Sequence, residues 1–181
     1  MAKICNPTYS AGPVNAGEER LLNRLENFLP DNYLLVPNGE YAHKSPQGMV
    51  QYWEYDCIVI APHAIYHIEN KDWAGHLYGD DFQWSINGHE RPNPFKTAEL
   101  KSKLLKDMLR EKNTDWRFVK VITVVTLSHP SQTKFGLDPN ANSYDQVFTL
   151  NSDLWDFIQD ADRAGNVRMP SPNIRRLLPT T

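Results

Sequence analysis

Asp56, Glu69 and Lys71 are the residues whose types and spacing first suggest chemistry. Asp56 lies in an aromatic and β-branched run, residues 51–60, while Glu69 and Lys71 close a second run, residues 64–71. Ala61-Pro62-His63 between them reads as a turn. A turn centred between Pro62 and His63 pairs residues whose numbers sum to 125, which sets Asp56 opposite Glu69. Opposed residues share a face with Cβ atoms about 4.5–5.5 Å apart, and Lys71, two residues beyond Glu69, shares that face too. Opposed carboxylates repel unless one is protonated or a cation bridges them. A hard divalent cation such as Mg2+ suits carboxylates, a carbonyl and water. The competing reading is a strand end with solvated charges.

Two helices bring further candidates. Glu18 opens a run in which Leu22, Leu25 and Leu29 fall within about 40° of it at 100° per residue, so it begins the sheet-facing stripe. It is either a third acid for the same site or a partner of the helix macrodipole. In residues 95–112, Leu100, Leu104, Leu105, Met108 and Leu109 define an apolar stripe with Lys101 in its middle. Lys101 either snorkels to solvent or aims its ammonium at the acid cluster. Lys96, Lys103, Lys106 and Arg110 form a flank that would suit a nucleic-acid backbone or simply keep the helix soluble. His63, His67 and Glu69 alternate as strand neighbours on one face would, a minor zinc-site alternative.

The elements that must position these residues follow from pattern. The order is a helix at 18–29, a strand at 33–36, a loop from Gly39 to Gly48, the two strands around the turn, and a possible short strand at 82–86. A long helix at 95–112, a buried β-branched strand at 118–127, an edge strand near 146–150 and an acidic helix at 152–162 complete it. This is an α/β protein with a mixed central sheet flanked by helices. Residues 1–16 read as an N-terminal arm, 17–162 as one domain, and 163–181 as a basic, proline-containing tail or linker.

The chain has 181 residues, one domain's worth, with mean hydropathy −0.57 and no apolar run of membrane-spanning length. No secretion signal opens it, and its two cysteines make neither a disulfide framework nor a zinc cluster, so a cytoplasmic protein with free thiols is expected. Net charge is −3, but residues 96–120 carry +4 and residues 163–181 another +4. An acidic total therefore conceals local basic segments.

The ordered series Gly17-Glu18 before Leu22 and Leu25, Asp56-Cys57-Ile58-Val59-Ile60, Ile68-Glu69-Asn70-Lys71 with Trp73 and Gly75, Trp84, and Asn93-Pro94 before a helix resembles the nuclease-related domain of the PD-(D/E)xK nuclease superfamily. It spans about residues 15–127. Tyr55 stands where the superfamily often has proline, and Thr97 where a glutamine is expected, with Lys101 one turn later. The resemblance implies a restriction-endonuclease-like core in αβββαβ order. It also implies Mg2+, for which Mn2+ would substitute, held by Asp56, Glu69 and the Asn70 carbonyl. Lys71 would position or deprotonate the attacking water, Glu18 would join the acid cluster, and Lys101 would serve the same site. The implied function is a metal-dependent nuclease domain acting on DNA, with RNA also open. Such domains often precede others, including in anti-phage defence systems, so further domains or defence proteins are candidate partners. The alternative is a non-catalytic nucleic-acid-binding or protein-docking module on the same fold.

Overall fold

Apolar strands alternate with amphipathic helices along the chain, and the helices cover both faces of one mixed sheet. The computed structural model describes residues 1–5, 15–45 and 47–164. In chain order the elements are β1 (Lys3–Ile4), α1 (Ala16–Phe28), β2 (Leu34–Lys44), β3 (Val50–Ile60), β4 (Ala64–Lys71), β5 (Leu77–Gly79), β6 (Gln83–Ile86), β7 (His89–Pro92), α2 (Pro94–Lys112), β8 (Lys120–Leu127), β9 (Val147–Thr149) and α3 (Ser152–Arg163). The large sheet runs β1-β2-β3-β4-β8-β9, and β5-β6-β7 form a small sheet of their own. β3 runs antiparallel to both of its neighbours, β2 and β4, whereas β4, β8 and β9 are parallel. The expected αβββαβ core is therefore present as α1, β2–β4, α2 and β8, with the small sheet inserted between β4 and α2. No helix among the described residues is long and apolar enough to cross a membrane.

Burial explains the layers. Leu21 and Leu25 of α1 and Leu154 and Ile158 of α3 pack with Tyr66, Ile68 and Val124 on one face. Leu105 and Leu109 of α2 pack with Ile58, Ile60 and Ile65 on the other. β4 is covered on both sides, as its unbroken apolar start requires. A third cluster, Leu77 and Trp84 against Ala98, Val125 and Leu127, seats the small sheet on α2 and β8.

Four differences from the sequence reading have local causes. The expected loop from Gly39 is strand as far as Lys44, because residues 39–44 pair with 50–55 and bury Tyr41 against Tyr55. Asn38 bends this strand with φ of 47° without ending it. Residues 3–4, within the expected arm, add an edge strand beside β2. The small sheet has two strands the reading lacks; β6 and β7 join at Asn87-Gly88, both at positive φ, as a two-residue primed turn requires. Finally, the buried stripe of α2 is Pro94, Ala98, Ser102, Leu105 and Leu109, while Leu100 is exposed. The remainder of the expected arm, residues 6–14, and of the expected tail, residues 165–181, lies outside the described residues.

Helix α1 approaches the ends of β4 and β8 at Gly17, where an added Cβ would meet Asp72 Cβ at 2.5 Å and Ser128 Oγ at 2.6 Å. Gly17→Ala is therefore expected to destabilise by about 1–3 kcal/mol despite alanine's better helix propensity, as overpacking does. Urea melts of the two proteins at matched pH check this.

Candidate active site

The carboxylate of Glu69 is buried, and two ammonium groups hold it. Lys71 Nζ lies 2.7 Å from Oε1, and Lys101 Nζ, arriving from α2, lies 2.7 Å from Oε2. Burial alone would push this carboxyl group up, but Lys71 and Lys101 together hold it below the usual range. Lys101 is only 12% exposed at its side chain, so it does not snorkel; it aims inward.

Asp56 reaches the same place by a different route. The β3–β4 ladder pairs Cys57 with Ile68 and Ile58 with His67, the register expected from the turn. Carried one pair further, it sets Asp56 against Glu69. The ladder stops short of that pair, and the Asn70 N–H donates instead to Asp56 Oδ2 at 2.6 Å. Both β2 and β3 change face at this level. Leu35 and Cys57 pack toward α1 and Val36 and Ile58 toward α2, yet beyond Asn38 and Asp56 the odd-numbered Tyr41 and Tyr55 lie on the α2 side. Burial, then the neighbouring Glu69 charge, pushes Asp56 up to about 6.

Two further residues, Asn70 and Glu18, complete the surroundings. Asn70 turns its side chain to the α1 face, where Nδ2 donates to Ser128 Oγ at 3.1 Å and Oδ1 accepts from Thr126 at 2.8 Å. Glu18 shares a narrow cleft of about 10 Å³ with Asp56 and Asn38, room for one water. It also serves the helix start, since Asn15 caps the Glu18 N–H and donates to Glu18 Oε1 at 2.7 Å. Glu18 therefore lines the cleft beside Asp56 while also taking part in the cap of its own helix.

Lys101 is positioned by residues that the motif does not contain. The Tyr55 hydroxyl donates to the Lys101 carbonyl at 2.9 Å, and its ring meets His67 edge-on at 4.9 Å. His67 Nδ1 lies 3.1 Å from the Ala98 carbonyl and 2.9 Å from Ser102 Oγ, to which Thr123 also donates. A carbonyl only accepts, which assigns the proton to Nδ1. Burial pushes His67 down to about 4, so it is neutral, with Nε2 3.8 Å from Glu69 Oε2. The signal for these residues in the sequence is polarity in the wrong place: Ser102 and Thr123 interrupt apolar stripes.

The basic flank of α2 is not part of this cluster. Lys96, Lys103, Lys106 and Arg110 lie roughly 140–220° around the helix from Lys101. Lys103 pairs with Glu99, Arg110 with Asp107, and Lys96 sits over the Phe82 ring. The motif residues beyond Lys71 prove architectural. Trp73 and Trp84 pack edge to face, and Asn93 caps α2 while donating to the Asp80 and Asp81 carbonyls of the small sheet. The zinc alternative fails, because His63 is tied to Asp162 of α3 whereas His67 lies beneath α2. Among the described residues no three His, Cys, Asp or Glu side chains form a metal-binding group.

These charges set the outcome of two stability measurements. Asp56 has a raised folded pKa, so its contribution is unimpaired below about 4 and is lost as pH rises through about 6. In EDTA, Asp56→Asn is expected to stabilise by on the order of 2–3 kcal/mol at pH 7–8, with the gain vanishing toward pH 4. Lys101→Met, which by sequence alone only trims a charge from an apolar stem, leaves Glu69 half compensated. It should destabilise by about 1–3 kcal/mol at neutral pH, and a flat denaturant midpoint would return Lys101 to the surface role.

The model of the nuclease-related domain matches residues 13–128, more than half of the chain and all of the cluster around Glu69. No curated protein and no solved structure matches the chain. With Gly17, Asp56, Glu69, Lys71 and Asn93-Pro94 in the places just described, the chain belongs to the nuclease-related domain family.

Proposed function

We propose that this domain is a metal-dependent nuclease that hydrolyses phosphodiester bonds of DNA in the cytoplasm. The observation that carries the reading is the buried Glu69, flanked by Lys71 and faced by Asp56 at the end of β4. The donor set fits a hard divalent cation: two carboxylates whose mutual repulsion a cation would relieve, and the Asn70 backbone carbonyl. Asp56, Glu69 and that carbonyl would hold Mg2+ or Mn2+, which when bound supplies charge neutralisation at the phosphate and a more acidic water. Lys71 orients the attacking water and opposes charge developing on the phosphoryl oxygens. Glu18, across the water-sized cleft from Asp56, orients that water's hydrogen bonds. Lys101 sets the charge and direction of Glu69 from the opposite side.

One observation favours the second reading, a non-catalytic binding or docking module. Both oxygens of Glu69 already carry an ammonium, so a cation must compete with one of them for the same oxygen. Lys101→Met removes that competitor and should enlarge the metal-induced rise in melting temperature even as it weakens the metal-free protein. For wild type, saturation at a hundredfold excess over Kd corresponds to about 2.7 kcal/mol. A wild-type melt indifferent to millimolar Mn2+ defeats the metal site.

Activity is tested on supercoiled plasmid, linear DNA and RNA with Mg2+, Mn2+ or EDTA. Glu69→Ala and Lys71→Ala should each lower the rate by about a hundredfold or more. Undiminished cleavage by folded Glu69→Ala rejects the assignment, and silence of wild type on every substrate selects the binding module.

A further inference from the structure

The rim formed by the carboxyl ends of β4, β8 and β9 continues past the carboxylate cluster, and ligands of open α/β sheets bind outside such ends. Between this rim and α1 lies a cleft of about 590 Å³, within the usual range for small-ligand sites. Its lining includes Arg20, Arg24, His129 and the amides of Asn23, Asn27 and Asn151, and contains no Asp or Glu. The comparable cleft of about 490 Å³ beside β5 and β6 has the opposite chemistry, with Asp80, Glu90 and Asp138 and no Lys or Arg. In a chain of net charge −3, the α1 cleft is thus a concave place where cationic and amide groups converge, with Asp72, behind Arg20, as the carboxylate paired to its lining.

Two guanidinium groups are pre-positioned there. Arg24 lies 5.9 Å from the Phe28 ring centroid, and Phe28 stacks on Trp155 of α3 at 5.2 Å with an interplanar angle of 4°. Among the described residues the Arg24 guanidinium has no carboxylate partner. Arg20 is pinned by Asp72 and by the Ser128 carbonyl. Ser128 in turn joins the cleft to the active end of β4: its N–H donates to the Lys71 carbonyl at 3.0 Å, and its Oγ accepts from Asn70.

We propose that this cleft binds phosphate, specifically the backbone phosphates of the strand that extends from the Glu69 cluster, with Arg24 as the principal anchor and Arg20 beside it. The amides of Asn23, Asn27 and Asn151 offer donors to the same phosphate oxygens and to the sugar. That a nucleic-acid strand supplies the phosphate rests on the nuclease reading; the phosphate chemistry of the cleft does not. The cleft, on the α1 side, takes the role that the outer face of α2 holds in the sequence reading.

Binding in EDTA separates the two, because no cleavage is required. A short end-labelled single-stranded DNA and ATP are the probes, titrated against wild type, Arg24→Gln, Arg24→Glu and Lys120→Glu. The last makes the same charge change as Arg24→Glu at the exposed amino end of β8, away from the rim. Arg24→Gln should weaken DNA binding roughly tenfold and Arg24→Glu further. The slope of log affinity against log salt should fall by about 0.7, the share of one neutralised phosphate on a single strand. Lys120→Glu should change neither. Parallel loss of ATP binding by the Arg24 variants also supports the phosphate site and adds free nucleotide to its ligands. Wild type that binds neither probe, Arg24 variants that bind both as wild type does, or equal loss in Lys120→Glu overturns the proposal. Arg24-dependent binding in a protein that never cleaves leaves the cleft standing and removes the nuclease reading; cleavage with Arg24-indifferent binding does the reverse.

Discussion

A carboxylate removed from water must be compensated where it stands, and Glu69 sets that condition for everything around it. The loss of hydration of a buried charge costs several kcal/mol unless ion pairs and hydrogen bonds replace it. Lys71 supplies one ammonium from the same strand, two residues on, and needs no further organisation. Lys101 supplies the other only if α2 lies at the correct height and rotation. The neighbouring polar contacts impose both: Tyr55 holds the Lys101 carbonyl, His67 holds Ala98 and Ser102, and Thr123 closes the same network from β8. Asn93 fixes the start of the helix and ties it to the small sheet. The position of a whole helix is thus coupled to the charge of one buried side chain.

The second acid depends on backbone more than on burial. Asn38, in a left-handed conformation, lies at the level of Asp56, and both strands change face there. A strictly alternating strand would send Asp56 wholly to one side of the sheet. The phase change instead leaves its carboxylate at the sheet edge, where it takes the Asn70 N–H and lines the cleft shared with Glu18. Gly17 lets α1 come close enough to close that cleft and to hand Arg20 to Asp72.

What is legible in the sequence is what short-range rules govern. The turn at Pro62-His63 fixes the hairpin register by arithmetic, so the opposition of residues 56 and 69 can be read without coordinates. Helix positions and the buried strand β8 follow from periodicity and β-branching. The less legible features depend on partners distant in the chain. The stretch from Gly39 reads as a loop because the residues that keep it in a strand are 50–55. Ser102 reads as a break in the apolar stripe of α2, which shifts the stripe toward the exposed Leu100; its burial makes sense only with His67 and Thr123 beside it. Asn87-Gly88 is a readable hairpin signal, and it marks the turn between β6 and β7. The basic flank of α2 is legible as charge, and the structure adds that two of its four cations pair with acids of the same helix.

Charge arithmetic at the cluster connects these features to function. Two carboxylates, Asp56 and Glu69, stand with two lysines, Lys71 and Lys101, so the formal charges of the four groups cancel. An electroneutral pocket has no surplus field with which to draw in a phosphodiester, which itself brings one negative charge. Attraction must come either from a divalent cation added to the carboxylates or from cations outside the cluster. The outer face of α2 is turned away from Glu69, and two of its four cations, Lys103 and Arg110, pair with acids of the same helix. Arg24, which has no carboxylate partner among the described residues, lines the α1 cleft beside Arg20, which Asp72 pairs and which Ser128 joins to the strand of Glu69. On the function proposed above, the labour divides: the α1 cleft recruits and aligns a strand, and the Glu69 cluster carries out the chemistry.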